Sequence, residues 1–241
     1  MADGRRAQLA ASLDEVRGRI ARACQTAGRD PGEVTLVAVT TTYPASDVLL
    51  LAGLGVTDVG ENKDQEANPK AASVRDAGGV VRWHYVGQLQ RNKAKSVVTY
   101  ADVVQSVDSL RLTRALDKAS LDLRDSPLDV FVQVSLDGDA DRGGAMVDAA
   151  DADRDLWRVA EAVAAAGGLR LSGLMAVAPV DGEPERAFAT LAALAERLRA
   201  DHPAATAISA GMSGDLEAAV TYGATHVRVG TSLLGMRNLL R

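Results

Sequence analysis

VTLVAVTTTYPASDVLLLAGLGVTDVGEN, residues 34–62, is the stretch that decides the fold. It opens with a β-branched apolar run, VTLVAVT (34–40), which gives way at Thr-Tyr-Pro to a loop. Residues 46–54 then read as a helical segment, and TDVGEN (57–62) reads as a second strand. Strand, helix and strand in one short span imply a βαβ unit with parallel pairing. The same rhythm continues outward from it. The later runs are VVRWHYVG (80–87), DVVQSV (102–107), LDVFVQVSL (128–136), LRLSGLMAVA (169–178), TAISAGMS (206–213) and THVRVGTS (225–232). Helical segments fall between them, near 64–77, 91–98, 109–122, 152–166, 184–200 and 214–222. Eight such units in 241 residues predict a closed (β/α)8 TIM barrel rather than an open doubly wound sheet. The runs are almost continuously apolar, as strands buried on both faces must be. Ahead of them, Leu9, Leu13, Val16, Ile20 and Ala23 recur at helical spacing. They predict an extra N-terminal helix over 5–28, ended by Gly28 and Pro31.

No Pro/Gly/Ser-rich linker divides the chain, so a single domain over 1–241 is expected. Hydrophobic residues make up 47%, enough for a full core, and charged residues 24%, which argues against disorder. The net charge of −5 argues against a nucleic-acid partner, which needs a positive field. The single cysteine, Cys24, has no partner for an internal disulfide and falls in a helical pattern, so a buried thiol is expected. No cluster of His, Cys, Asp and Glu has metal-ligand spacing, and no metal is expected. The opening MADGRRAQLAASLDEV lacks an apolar signal core, and no apolar run approaches the roughly 18 residues of a membrane span. A soluble cytoplasmic protein without a membrane partner is the expectation.

Barrels of this kind place their sites at the C-terminal ends of the strands. Those ends are Thr40 to Thr42, Gly60 to Asn62, His84 with Gly87, Gln105 and Ser106, Gln133 with Ser135, Met175, Ser209 to Ser213, and Arg228 to Ser232. Small and polar groups recur where the preceding residues are apolar, which implies a polar ligand in the mouth. SAGMSGD (209–215) and VRVGTS (227–232) suit an oxyanion, since glycine lets backbone amides approach and a helix start supplies donors. Gly-Thr-Ser is equally an ordinary helix cap. His84 reads more readily as a half-buried structural histidine than as a catalytic one. Glu61 and Asn62, taken alone, read as caps of the next helix. GQLQRNKAK (87–95) reads as a solvated loop entering a helix. DGDADRGGA (137–145) is the longest polar excursion and belongs at the mouth after the fifth strand, where flexibility is its expected property.

Six motifs in chain order carry a resemblance. AVTTTYP (38–44) follows the pattern A-V-S/T-K-T/F-x-P at every place but one. GENKDQE (60–66), WHYVGQLQRNK (83–93), GLM (173–175), SAGMSGD (209–215) and RVGT (228–231) complete the set. On these motifs the chain resembles the pyridoxal-phosphate homeostasis proteins, built like the barrel domain of alanine racemase. The likeness runs nearly end to end, as far as GTSLLGMR (230–237). It implies a site for pyridoxal 5′-phosphate. Backbone amides around Gly230 and Thr231, with Ser213 and Ser209, would cradle the phosphate. By similarity to alanine racemase, Arg228 would face the pyridine nitrogen, disfavouring ring protonation and weakening the ring as an electron sink. Asn62, His84 and Met175 would line the ring and its far side.

The departure is Thr41, which falls where the family has its Schiff-base lysine. A hydroxyl cannot form an imine. Three explanations stay open: an engineered substitution, a natural member that binds without a covalent bond or not at all, and a replacement amine, for which Lys63 is the candidate. The resemblance implies a non-catalytic cofactor carrier for vitamin B6 homeostasis, monomeric, limiting free aldehyde and passing cofactor to apo-enzymes. Without the imine, the site would hold the cofactor non-covalently, or a sulfate or phosphate ion. The alternatives are a racemase-like enzyme on amino acids and a regulatory module that no longer binds the cofactor. The enzyme needs the lysine, a second acid/base group and a second domain, for which no chain remains after Arg241. The regulatory module would act through 87–95 or 137–145.

Overall fold

The computed structural model describes residues 2–138, 143–179 and 182–235. Eight strands pair in parallel in sequence order, and the last closes on the first. They are β1 (Thr35–Val39), β2 (Asp58–Glu61), β3 (Arg82–Tyr85), β4 (Val103–Val107), β5 (Leu128–Val134), β6 (Leu169–Ala176), β7 (Ala207–Ser209) and β8 (His226–Val229). The barrel seam runs from Thr35 opposite His226 to Ala38 opposite Val229. Helix α1 (Ala2–Thr26) precedes the barrel. The strands are followed in turn by α2 (Ala45–Ala52), α3 (Asp64–Asp76), α4 (Ala94–Val97), α5 (Leu110–Leu123), α6 (Leu156–Ala164), α7 (Pro184–Asp201), α8 (Leu216–Thr221) and α9 (Thr231–Leu234). This is the (β/α)8 barrel with an added N-terminal helix that the sequence rhythm predicts. Among the described residues, no helix is long and apolar enough to cross a membrane, and no group of three His, Cys, Asp or Glu is placed to hold a metal ion.

Helix α1 ends as its sequence dictates. Gly28 takes a left-handed φ of 66°, and the next amide, Arg29 N, reaches back to Cys24 O at 2.9 Å. That six-to-one bond closes the last turn and needs a residue without a Cβ penalty. The helix buries Leu9, Leu13, Val16, Ile20 and Cys24 against Val48 and Leu51 of α2 and Leu216 and Val220 of α8. Each such side chain contributes about 1.5–3 kcal/mol by leaving water. A second apolar layer wraps β4 to β7, where Leu112, Leu116, Leu156, Val159, Phe188 and Leu191 pack.

The barrel interior is different. One small apolar cluster, Val103, Phe131 and Met175, packs there with Val177 and Ala207, and Val37 and Val39 lie beside Gly60. Much of the rest is polar. Gln105 of β4 bonds Ser209 of β7, two strands that are not neighbours, so their side chains meet across the barrel's inside. Along β2 the alternation is plain: Asp58 faces in toward His84 and Glu61 faces out toward α3.

Candidate functional site

The exit of β1 is a tight, strained turn. Tyr43 N donates to Thr40 O at 3.0 Å, and Thr42 between them sits at φ 74°. A β-branched residue in the left-handed region is an outlier that persists only where its surroundings hold it. The holding groups come from β2 and α3. Lys70 Nζ of α3 donates to Thr40 O at 2.9 Å and to Glu61 Oε1 at 2.6 Å. Thr40 Oγ1 donates to the same Glu61 oxygen at 2.7 Å, and Thr42 N donates to Glu66 Oε2 at 3.2 Å. Thr40 therefore faces out and Thr41 faces the mouth. Thr41 is buried, and its hydroxyl oxygen accepts the Asn62 amide at 3.2 Å.

From Thr41 an arc of strand exits runs around the mouth. On one side lies Asn62, and beyond it Gly87, where any Cβ would collide with the Asn62 backbone. Glycine is required there by that close approach. On the other side Gly230 backs onto β1, its Cβ position 3.3 Å from Val39 O. Ser232 N then donates to Ser213 Oγ at 3.2 Å, joining the exits of β8 and β7. Gly87, Asn62, Thr41, Gly230 and Ser213 thus stand side by side. Asn62 Oδ1 is buried and has no hydrogen-bond partner among the described residues. In α9 the Leu233 and Leu234 amides donate back to Gly230 O and Ser232 N is met by Ser213 Oγ, which leaves the Thr231 amide at the head of the turn.

Beneath the arc a chain of hydrogen bonds crosses the interior. Arg228 Nη2 donates to Ala176 O at 2.8 Å, and Nη1 donates to Ser209 Oγ at 2.6 Å. Ser209 donates to Gln105 Oε1 at 2.7 Å. Gln105 Nε2 lies 2.8 Å from His84 Nδ1, and His84 Nε2 lies 2.8 Å from Asp58 Oδ1. The donors all point one way, from Arg228 to Asp58, which places the His84 proton on Nε2. Arg228 makes no ion pair among the described residues, and burial lowers its pKa to about 10. Burial works to raise the Asp58 pKa, but hydrogen bonds from His84 and Thr57 outweigh it and hold the carboxyl below its usual range. At the floor, burial depresses His226 to about 4.

The structure sorts the residues singled out in the sequence. Thr41, Asn62, Ser213, Gly230 and Thr231 share the arc. His84 is fully buried rather than half-buried, because Asp58 and Gln105 take both its nitrogens. Ser209 spends its hydroxyl inside the chain rather than toward the arc. Met175 packs with Val103 and Phe131 inside the barrel. Glu61 and Asn62 cap nothing: Lys63 holds the cap position of α3, with no side-chain cap bond. Lys63 itself turns outward, its side chain 58% exposed and 3.3 Å from Glu66. The stretch 87–95 enters α4 as read, and its Leu89 to Asn92 line an outer cavity of about 720 Å³ with Arg111 and Asp153. Of the loop 137–145, residues 139–142 lie outside the described residues. Sequence reasoning missed Lys70, Asp58 and the inward role of Gln105. The signal for Lys70 was available: it is a cation on the buried stripe Ala67, Lys70, Ala71 and Val74 of α3.

Residues 11–238 match the family model of the alanine racemase N-terminal domain. The pyridoxal phosphate homeostasis protein of Mycobacterium leprae is 44% identical over 247 residues, covering 98% of this chain and 95% of that one. The chain belongs to the family of pyridoxal phosphate homeostasis proteins. Among solved structures, PipY of Synechococcus elongatus without pyridoxal phosphate superposes with a TM-score of 0.78 at 33% identity, covering 95% of this chain and 100% of that one. PipY with pyridoxal phosphate bound gives a TM-score of 0.76 at 30% identity over the same shares.

Proposed function

We propose that this chain is a non-catalytic pyridoxal 5′-phosphate carrier in vitamin B6 homeostasis: a single-domain, monomeric, cytoplasmic protein that holds the cofactor non-covalently and yields it to apo-enzymes. The observation that carries the reading is the pairing of the arc with Arg228. A fully buried guanidinium without a carboxylate partner asks for an acceptor, and the orphaned Asn62 Oδ1 asks for a donor. The cofactor's pyridine nitrogen supplies the acceptor and the hydroxyl elsewhere on the same ring supplies the donor, so the residues present fit the group. Amides at Gly230 and Thr231, with the Ser213 hydroxyl, would hold the phosphate. Asn62 would meet the ring, and His84 and Met175 would support it from beneath rather than touch it. Thr41 stands in the place of the family lysine.

When bound elsewhere with a lysine, the cofactor supplies an electron sink for amino-acid chemistry. Here Arg228 works against that role, since a fixed cation beside the ring nitrogen keeps it unprotonated. Thr41 offers no amine, and no second acid/base group stands opposite it among the described residues. Both features support a carrier over a racemase-like enzyme.

Equilibrium dialysis against pyridoxal 5′-phosphate tests the reading. The protein should retain the cofactor, and borohydride should not fix it to the chain. Arg228→Gln should weaken retention by roughly 10–100-fold, the loss of one charge-assisted hydrogen bond of about 1.5–3 kcal/mol. No retention by the unaltered protein, or unchanged retention by Arg228→Gln, would sink it.

A further inference from the structure

The chain has five lysines, Lys63, Lys70, Lys93, Lys95 and Lys118, and none stands on a strand or faces the arc. Lys63 is exposed beside Glu66. Lys70 is buried on the outer side of the wall, bonded to Glu61 and to Thr40 O. Lys93 lies 3.7 Å from Asp64, and Lys95 and Lys118 are exposed on α4 and α5. At the exit of β1 the side chain facing the mouth is the Thr41 hydroxyl, whose oxygen already accepts the Asn62 amide. What the site does offer is donors at two places. Arg228 is aligned by Ser209 and Ala176 O, and the Thr231 amide opens α9 beside the Ser213 hydroxyl. Donors read an acceptor ring nitrogen and an oxyanion. They do not read the ring carbon para to that nitrogen, where the cofactor carries its aldehyde.

Resting on the carrier reading above, we propose that this site does not select the aldehyde. It binds pyridine 5′-phosphates as a class, and takes the amine form, pyridoxamine 5′-phosphate, and the alcohol form, pyridoxine 5′-phosphate, alongside pyridoxal 5′-phosphate. A lysine in the mouth would add a covalent bond to the aldehyde form alone and so sort it from the others. The absence of any lysine there removes the sorting and leaves the shared groups, ring nitrogen and phosphate, to carry recognition.

Calorimetric titration of the unaltered protein with the three phosphates, with unphosphorylated pyridoxal and with inorganic phosphate tests this. The three phosphorylated forms should bind within about threefold of one another, since no covalent step separates them. Pyridoxal without its phosphate should bind at least roughly tenfold more weakly, having lost the charge-assisted bonds. Thr41→Lys should tighten the aldehyde form alone. Its amine would form a carbon–nitrogen double bond while the carbonyl oxygen leaves as water, and a borohydride-reducible absorbance band should appear. A preference of the unaltered protein for the aldehyde form beyond about tenfold overturns the proposal, and peptide mass mapping after borohydride would then locate the amine, on a lysine or at Met1. If Thr41→Lys does not fold, the comparison of the three forms on the unaltered protein decides alone. If all three bind no better than inorganic phosphate, the carrier reading falls and this inference with it. If pyridoxal 5′-phosphate binds and its amine and alcohol forms do not, the carrier reading stands and only the inference fails.

Discussion

Asp58 and Glu61 leave the same short strand on opposite faces, and their surroundings differ. Inside the barrel, Asp58 meets the cation Arg228 only through His84, Gln105 and Ser209. Outside it, Glu61 touches Lys70 directly at 2.6 Å. Burial pushes the Glu61 pKa up, with Lys70 partly offsetting it, and one carboxylate oxygen, Oε2, has no partner among the described residues. The inner arrangement spaces its charges apart, with the guanidinium held by the neutral groups Ser209 Oγ and Ala176 O. The outer arrangement closes on itself and ties down Thr40 O, the anchor of the strained turn. One side of the wall carries the polar chain beneath the arc, and the other holds the backbone of the turn above it.

The sharpest way to break this contrast is Lys70→Met. It leaves a buried carboxylate without its cation, a loss of about 3–5 kcal/mol. For a chain of this length the midpoint of thermal unfolding should fall by roughly 10 °C. Adding Glu61→Leu should recover most of it, because the pair replaced together leaves no orphan charge. A fall of only a degree or two for Lys70→Met would mean that the outer pair holds nothing.

Much of this architecture is legible in the sequence, and the limit is instructive. Strands and helices announce themselves through period, and the exits Thr41, Asn62 and Gly230 follow from where each apolar run stops. What period does not carry is which face a residue takes in a strand buried on both sides. Val103 to Val107 is buried throughout, so nothing in DVVQSV says that Gln105 points inward. Its partner Ser209 is 104 residues away, a pairing that only barrel closure creates. His84 reads as half-buried for the same reason: a histidine is buried whole only where both nitrogens are met, and Asp58 and Gln105 come from other strands. Lys70 is the opposite case, a local signal, since a lysine on an apolar helix stripe demands a partner.

Acid should separate the two faces. His226 at the barrel floor has its pKa lowered to about 4 by burial, from 6.5 when unfolded. Between those values the unfolded chain binds the proton and the folded chain does not, so stability is full above 6.5 and falls as pH drops toward 4. At pH 5 the loss is on the order of 2 kcal/mol. Glu61 works with the opposite sign: its raised pKa means that acid relieves the strain of burying its charge. Urea midpoints at pH 7 and pH 5 for the parent and His226→Gln should isolate the inner contribution, with the variant losing less on acidification. An equal loss in both would place the acid sensitivity elsewhere.

The smallest effect expected comes from Thr42→Gly, and it tests what the outer cluster is for. At φ 74° a threonine is strained and a glycine is not. Relief of the strain is partly offset by glycine's greater freedom when unfolded, so a net gain of about 1 kcal/mol is expected, read as a rise of a few degrees in thermal midpoint. The informative quantity is the coupling with Lys70. If Lys70, through Thr40 O, is what forces the turn to accept Thr42, then Lys70→Met should cost less in the glycine background than in the parent. A double-mutant cycle should return about 0.5–1 kcal/mol of coupling between side chains that do not touch. A coupling of zero would leave the ion pair as a feature of the wall alone, with the turn held by the Thr42–Glu66 and Tyr43–Thr40 bonds instead.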